Sequence, residues 1–278
     1  GEADMYHIYQ FKLGYGYLPQ YPRNCLQLNQ GNLFKNTKTV QFSEVAQVAG
    51  IDATDWSWSS LFADFDNDGF KDLYITNGIL HRPNDLDWVE FYSNQQDKTA
   101  LEIAQQMPTG KAKNYVYQNL GNLNFKNQSK AWGLDKLGYS NGAAYADFDG
   151  DGMTDVVSSS YFDNKIAWYE NLDGLGAFGL QQIITINAAD AWSVIATDID
   201  GDGDMDVVSA SGDNSEGKIA WYENTDGLGG FGPQNIINPS ALGATSVYSS
   251  DIDNDGDMDI LSTAGLSNGL VWYENLDG

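Results

Sequence analysis

Hydrophobic residues in this chain fall in short runs rather than in helical stripes. The runs LFA, AYA, IAT and YSS each lead into an acidic stretch, and LYIT, VVSS, VVSA and ILST follow it. Such runs of β-branched, aromatic and small residues read as strands. A second element follows each acidic stretch. KIAWYENLDGLGAFG (165–179) and KIAWYENTDGLGGFG (218–232) differ at two positions, and GLVWYENLDG (269–278) starts a third copy. Looser copies are NYVYQNLGNLNF (114–125) and NCLQLNQGNLF (24–34). Each full unit therefore reads as four strands: one before the acidic stretch, one after it, the WYEN strand, and a last one after the Phe-Gly turn. QQIITI (181–186) and QNIIN (234–238) are examples of the last.

Self-similarity at a period near 50 residues with four antiparallel strands per unit predicts an all-β fold, a β-propeller of four-stranded blades. Residues 1–278 are expected to form a single propeller domain or propeller fragment. About four blades are present, opening and closing in the third strand of a blade. That predicts either a larger ring, of about seven blades for example, or completion by more chain or a neighbouring copy. Small residues at Ala63, Ala146 and Ala196 suit crowding near an axis. One segment breaks the pattern. Residues 79–113 read as a helical insertion, with Asn84 as one cap and Thr99 with Glu102 as a capping box before Pro108.

The acidic stretches share one spacing, D-x-D-x-D-G-x-x-D, and begin at residues 64, 147, 198 and 251. Their carboxylates are Asp64, Asp66, Asp68 and Asp72; Asp147, Asp149, Asp151 and Asp155; Asp198, Asp200, Asp202 and Asp206; and Asp251, Asp253, Asp255 and Asp259. Brought to one point without a cation, they would repel one another. A hard, oxygen-seeking ion with flexible geometry suits them, and Ca²⁺ is the expected cofactor. Gly at position 6 permits the sharp turn, and the carbonyl of residue 7 (Phe70, Met153, Asp204, Asp257) is the expected backbone ligand. An EF-hand would need Glu at position 12 and flanking helices. Position 12 is Ile75, Ser158, Ser209 or Ser262, and the flanks are strands.

The chain carries 39 acidic against 14 basic residues, a formal net charge of -25. Four bound Ca²⁺ would leave it strongly acidic, which argues against nucleic acid or anionic membranes as partners. A hydrophobic content of 42% supports a folded core rather than disorder. No run is long enough to span a bilayer and no signal peptide opens the chain, so no membrane insertion is expected and the sequence reads as a mature piece or a fragment. Cys25, the one cysteine, excludes an internal disulfide.

Acidic loops of this type with a Phe-Gly turn resemble the FG-GAP or VCBS repeats of integrin α-subunit propellers and of many secreted bacterial proteins. Residues 20–155 also resemble the bacterial relatives of cartilage acidic protein, through QYPRNCLQLNQGNLF, FSEVAQVAGI, TDWSWSSLFADFDNDGFKDLYITNG and SNGAAYADFDGDG. The resemblance implies a non-enzymatic recognition or adhesion module at an extracellular, cell-surface or periplasmic location, with a protein or glycan ligand. The alternative is a carbohydrate-binding or carbohydrate-processing component of a polysaccharide uptake system. Catalysis has little support, because His7, His81 and Cys25 suggest no triad or zinc site and the clustered Asp are assigned to loops.

In a blade the acidic loops lie on one face, while the insertion and the segments before each first strand lie on the other. Ligand-face candidates are Trp56, Trp58, Asn141 and Trp192, with His81, Arg82 and Trp88 from the insertion. The competing use of Trp56, Trp58 and Trp192 is packing between blades. Trp168, Trp221 and Trp272 recur at one register and are expected in the core. Glu170, Glu223 and Glu274 with Asn171, Asn224 and Asn275 are expected to be structural, at a strand-to-turn junction.

Overall fold

The computed structural model describes residues 11, 13–16, 23–31, 40–82, 88, 90, 91, 99, 102, 103, 105–212, 215, 217–265 and 269–276. The architecture is all-β. The chain divides into two compact units, one of residues 54–78 and 112–278 and one of residues 1–53 and 79–111.

The larger unit is built from successive antiparallel sheets in which strand order follows chain order. The first sheet comprises Ser57–Ala63, Asp72–Asn77, Tyr115–Asn119 and Phe125–Asn127. The second comprises Ser140–Ala146, Asp155–Ser160, Lys165–Tyr169 and Gln182–Thr185, and the third Ala191–Thr197, Asp206–Gly212, Gly217–Tyr222 and Asn235–Asn238. The fourth has three strands, Ala244–Ser250, Asp259–Ala264 and Gly269–Tyr273. Every acidic stretch joins the first and second strands of its sheet, as the sequence pattern predicts.

First strands of consecutive sheets lie against one another. The second strands are the most enclosed, and DVVSSS and DVVSASG are buried along their whole length. A strand buried on both faces cannot alternate apolar with charged residues, so after its leading Asp each is a run of Val and small residues. The core lies between sheets rather than within one. Tyr74 and Val116 of the first sheet meet Val156 and Tyr169 of the second. Val157 and Trp168 of the second meet Val194, Val207 and Tyr222 of the third, and Val208 and Ile219 of the third meet Val247 and Ile260 of the fourth.

That arrangement separates three tryptophans at one repeat register. Trp168 is buried, Trp221 is half-buried, and Trp272 is 45% exposed. The expectation that all three are core therefore holds for the first and fails for the last. The outer face of the fourth sheet has no further sheet packed on it among the described residues.

In the smaller unit, Gln27–Gly31 pairs with Gln41–Glu44, which leads to a single helical turn, Ala46–Ala49. Gly50, at φ 73°, ends that turn in the left-handed conformation. Ile79–His81 pairs with Thr109–Gly110. The expected capping box is present: Thr99 N donates to Glu102 Oε2 at 2.9 Å, and Glu102 N donates to Thr99 Oγ1 at 3.3 Å. Asn84, the other expected cap, lies outside the described residues. Among the described residues no helix is long and apolar enough to cross a membrane.

Candidate metal centres

Each acidic stretch folds around the carboxylate of its own first Asp. Gly69 N donates to Asp64 Oδ2 at 2.9 Å, Gly152 N to Asp147 Oδ2 at 2.9 Å, and Gly203 N to Asp198 Oδ2 at 3.0 Å. The fifth residue turns its carboxylate to the N–H of the seventh: Asp68 to Phe70 and Asp151 to Met153 at 2.8 Å, Asp202 to Asp204 at 2.9 Å, and Asp255 to Asp257 at 3.0 Å. Between them the position-6 glycines take φ of 84° to 109°, a region that costs other residues steric strain.

The loops draw three carboxylates together rather than four. Asp64, Asp66 and Asp72 form one group, Asp147, Asp149 and Asp155 the next, and Asp198, Asp200 and Asp206 the third. In the fourth the group is Asp251, Asp253 and Asp255. Within each group the candidate oxygens all lie within 4.8 Å of one another. Asp68, Asp151, Asp202 and Asp259 stand in the same loops outside these groups. The Arg23–Glu44 and Lys113–Asp135 ion pairs lie elsewhere.

The ninth residue is the hinge of each site. Asp72 Oδ2 accepts from Phe65 N at 3.1 Å and its Oδ1 from Asn119 N at 2.8 Å. The same pair of bonds joins Asp155 to Phe148 and Asn171, Asp206 to Ile199 and Asn224, and Asp259 to Ile252 and Asn275. Each carboxylate thus ties its loop to the end of the third strand of the same sheet.

Burial raises the pKa of Asp72 and Asp206 to about 6 and of Asp155 to about 7, despite the N–H bonds that favour ionisation. Burial also raises Asp66, Asp149 and Asp200, with neighbouring carboxylates adding to the effect. Asp259 departs from the pattern. The N–H of Asn275 lowers it, outweighing the upward push of burial, and the N–H of Ile252 adds to the lowering. All-oxygen donors, close anionic grouping and raised pKa values fit a hard divalent cation such as Ca²⁺, whose charge would restore ionisation.

The YEN asparagines hold more of the site than their place at a turn suggested. Asn171 Nδ2 donates to Phe65 O at 2.9 Å, Asn224 Nδ2 to Phe148 O at 2.8 Å, and Asn275 Nδ2 to Ile199 O at 2.7 Å. In each case the acceptor is residue 2 of the previous sheet's acidic loop. The Phe-Gly turn adds a ring contact at the same place, Phe178 on Phe65 at 5.8 Å and Phe231 on Phe148 at 5.7 Å. Gln118, absent from the expected ligand set, donates to Asp66 Oδ2 at 2.6 Å.

The ligand-face candidates separate. His81, Arg82 and Trp88 belong to the smaller unit, where Trp88 is buried and packs on Phe91 at 5.4 Å. Trp56, Trp58, Asn141 and Trp192 belong to the larger unit, at the ends of first strands remote from the acidic loops. Trp58 and Trp192 meet edge to face at 5.7 Å. Tyr161 joins Trp192 at 4.5 Å and Phe162 joins Tyr161 at 4.5 Å. Neither Tyr161 nor Phe162 belongs to a repeated motif, so repeat logic does not reach them.

A family model described as FG-GAP-like repeat matches residues 25–75, 147–209 and 198–262, together more than half of the chain. No curated protein matches. Among solved structures, a luciferin-regenerating enzyme is 13% identical, with a TM-score of 0.41 over 91% of this chain and 70% of that one. The V. cholerae biofilm matrix protein Bap1 is 17% identical, with a TM-score of 0.37 over 80% of this chain and 34% of that one.

Proposed function

This chain belongs to the FG-GAP-like repeat family, and on that premise we propose a calcium-stabilised, non-enzymatic β-propeller module for recognition or adhesion outside the cytoplasm. The observation that carries the reading is the position of the acidic loops. Three of the four are gripped through residue 2 by the Asn of the following sheet, at 2.7–2.9 Å. A cation in such a loop would cancel carboxylate repulsion where consecutive sheets are joined, so its binding energy is stability of the array. Its ligands would come from the Asp at positions 1, 3, 5 and 9 and the carbonyl of residue 7. Consecutive meander sheets with first strands side by side support an arc of a propeller.

Loops of this ligand set in extracellular modules hold Ca²⁺ at about 10⁻⁴–10⁻³ M, a level that suits an extracellular, cell-surface or periplasmic setting. The strongly acidic surface would repel nucleic acid and anionic membranes. Calorimetric titration of the chelated protein with Ca²⁺, alongside its melting temperature, tests the reading. Saturable binding with a rise in melting temperature is expected; a melting curve indifferent to both chelator and Ca²⁺ would overturn it. The exposed aromatic cluster favours a carbohydrate as the ligand over a second protein.

A further inference from the structure

Six residues ahead of each acidic loop stand Trp58, Asn141, Trp192 and Thr245. The strand pairing shifts register at each of these places, between Ser57 and Ser60, Ser140 and Ala143, Ala191 and Ser193, and Ala244 and Ser246. A bulge at the end of a strand re-aims a side chain, and here it recurs in every first strand at the end roughly 20 Å from the loops. Trp58 and Trp192 stand on the first and third sheets with the second between them. Their rings nonetheless touch, at 5.7 Å. Asn141–Gly142 makes this approach possible: a Cβ on Gly142 would lie 2.9 Å from both Trp192 O and Ser193 Cα, so only glycine lets the neighbouring strand come so near.

The aromatic surface is held in place. Trp58 Nε1 donates to Gly78 O at 2.6 Å, which fixes the indole while leaving the residue 43% exposed. Trp192 rests on Tyr161. Asn141, only 4% exposed, is anchored through its backbone carbonyl, which accepts from Thr76 Oγ1 at 2.8 Å. Its Oδ1 accepts from Tyr161 N at 3.3 Å. Tyr161 N also donates to Tyr139 O, at 3.2 Å, and Asn141 Nδ2 makes no hydrogen bond among the described residues. An amide donor that has no protein partner and is not sealed from solvent, beside an ordered aromatic surface, is available to a hydrogen-bond acceptor from outside the protein.

We propose that Trp58, Trp192, Tyr161 and Asn141 form a binding site for a neutral glycan, with a pyranose ring stacked on the Trp58 indole and a hydroxyl oxygen accepting from Asn141 Nδ2. A sugar ring offers both an apolar C–H face for an indole and hydroxyls for an amide, and these are the two groups on display. Charge decides the class of sugar. A chain of net charge -25 repels uronic acids and sulfated glycans. The inference deepens the recognition-module reading and rests on it only for the assignment to ligand binding, since the site and the acidic loops lie at opposite ends of the strands.

The test is titration of the full chain in excess Ca²⁺ with neutral hexasaccharides derived from glucan, mannan, xylan and chitin. Indole fluorescence and saturation-transfer NMR report binding, with oligogalacturonate as the anionic comparison. Saturable binding of at least one neutral probe is expected, together with a perturbed Trp58 indole resonance. Trp58→Ala should weaken binding about tenfold or more, and Trp58→Phe less, with the Ca²⁺-dependent rise in melting temperature unchanged in both. If Trp58→Ala does not fold, the wild-type indole resonance and Trp58→Phe carry the test. No saturable binding of any neutral probe, equal binding of oligogalacturonate, or binding indifferent to both Trp58 variants would overturn the inference while leaving the calcium reading intact. Glycan binding by a protein whose melting ignores Ca²⁺ would do the reverse.

Discussion

Asn171 reaches back 106 residues to donate from Nδ2 to the carbonyl of Phe65 at 2.9 Å, while its own N–H donates to Asp155 at 2.7 Å. One buried asparagine, through its side-chain amide and its backbone N–H, thus joins the second residue of one acidic loop to the ninth residue of the next. Asn171→Ala should lower stability by roughly 1–3 kcal/mol, because the Phe65 carbonyl would be left buried and unpaired. Asn275→Ala, at a more exposed junction, should cost less. Chemical denaturation of both variants checks the order.

Removing Ca²⁺ should lower the melting temperature, and millimolar Ca²⁺ should restore it, because a ligand bound only by the native state stabilises by mass action. Asp198→Ala should shrink that recovery, since Asp198 belongs to the third carboxylate group and receives the Gly203 N–H. Asp135→Ala removes only a surface ion pair with Lys113 and should leave the response unchanged. Differential scanning calorimetry of the two variants with and without chelator separates these outcomes.

The chelated protein should lose stability as pH rises. Asp155 titrates at about 7 in the fold against an ordinary value of 3.8, and Asp72 and Asp206 at about 6. A raised carboxyl keeps more protons bound in the native state than in the unfolded chain, so its contribution is greatest below the unfolded pKa. That contribution is lost as pH climbs through the folded value. Melting temperature measured between about pH 5.5 and pH 8 should therefore fall without Ca²⁺ and stay nearly flat with it, because a bound cation holds these groups ionised.

Ile219, fully buried among Val208, Val247 and Ile260, should cost about 2–5 kcal/mol when changed to Ala. Leu270, 68% exposed on the fourth sheet, should change stability by no more than about 0.5 kcal/mol when changed to Ala. Equal losses in urea unfolding would mean that the junction between the third and fourth sheets is not a packed core.

Much of this protein was determined by the sequence alone. The four D-x-D-x-D-G-x-x-D stretches, the strands on either side, the WYEN strand and the strand after the Phe-Gly turn all follow from local rules. A short β-branched run, a glycine at positive φ, or an Asp bonded to an N–H two residues on acts within a few residues and needs no partner elsewhere. The Thr99–Glu102 cap was legible for the same reason. Tertiary structure decided everything that joins one repeat to another. It set the reach of Asn171 to Phe65, the different surroundings of Trp168, Trp221 and Trp272, the gathering of three carboxylates per loop, and the meeting of Trp58 with Trp192 and Tyr161. These contacts span 106 residues from Phe65 to Asn171 and, from Trp58 to Trp192, more still. They depend on how consecutive sheets twist and pack, which local hydrophobic pattern does not encode.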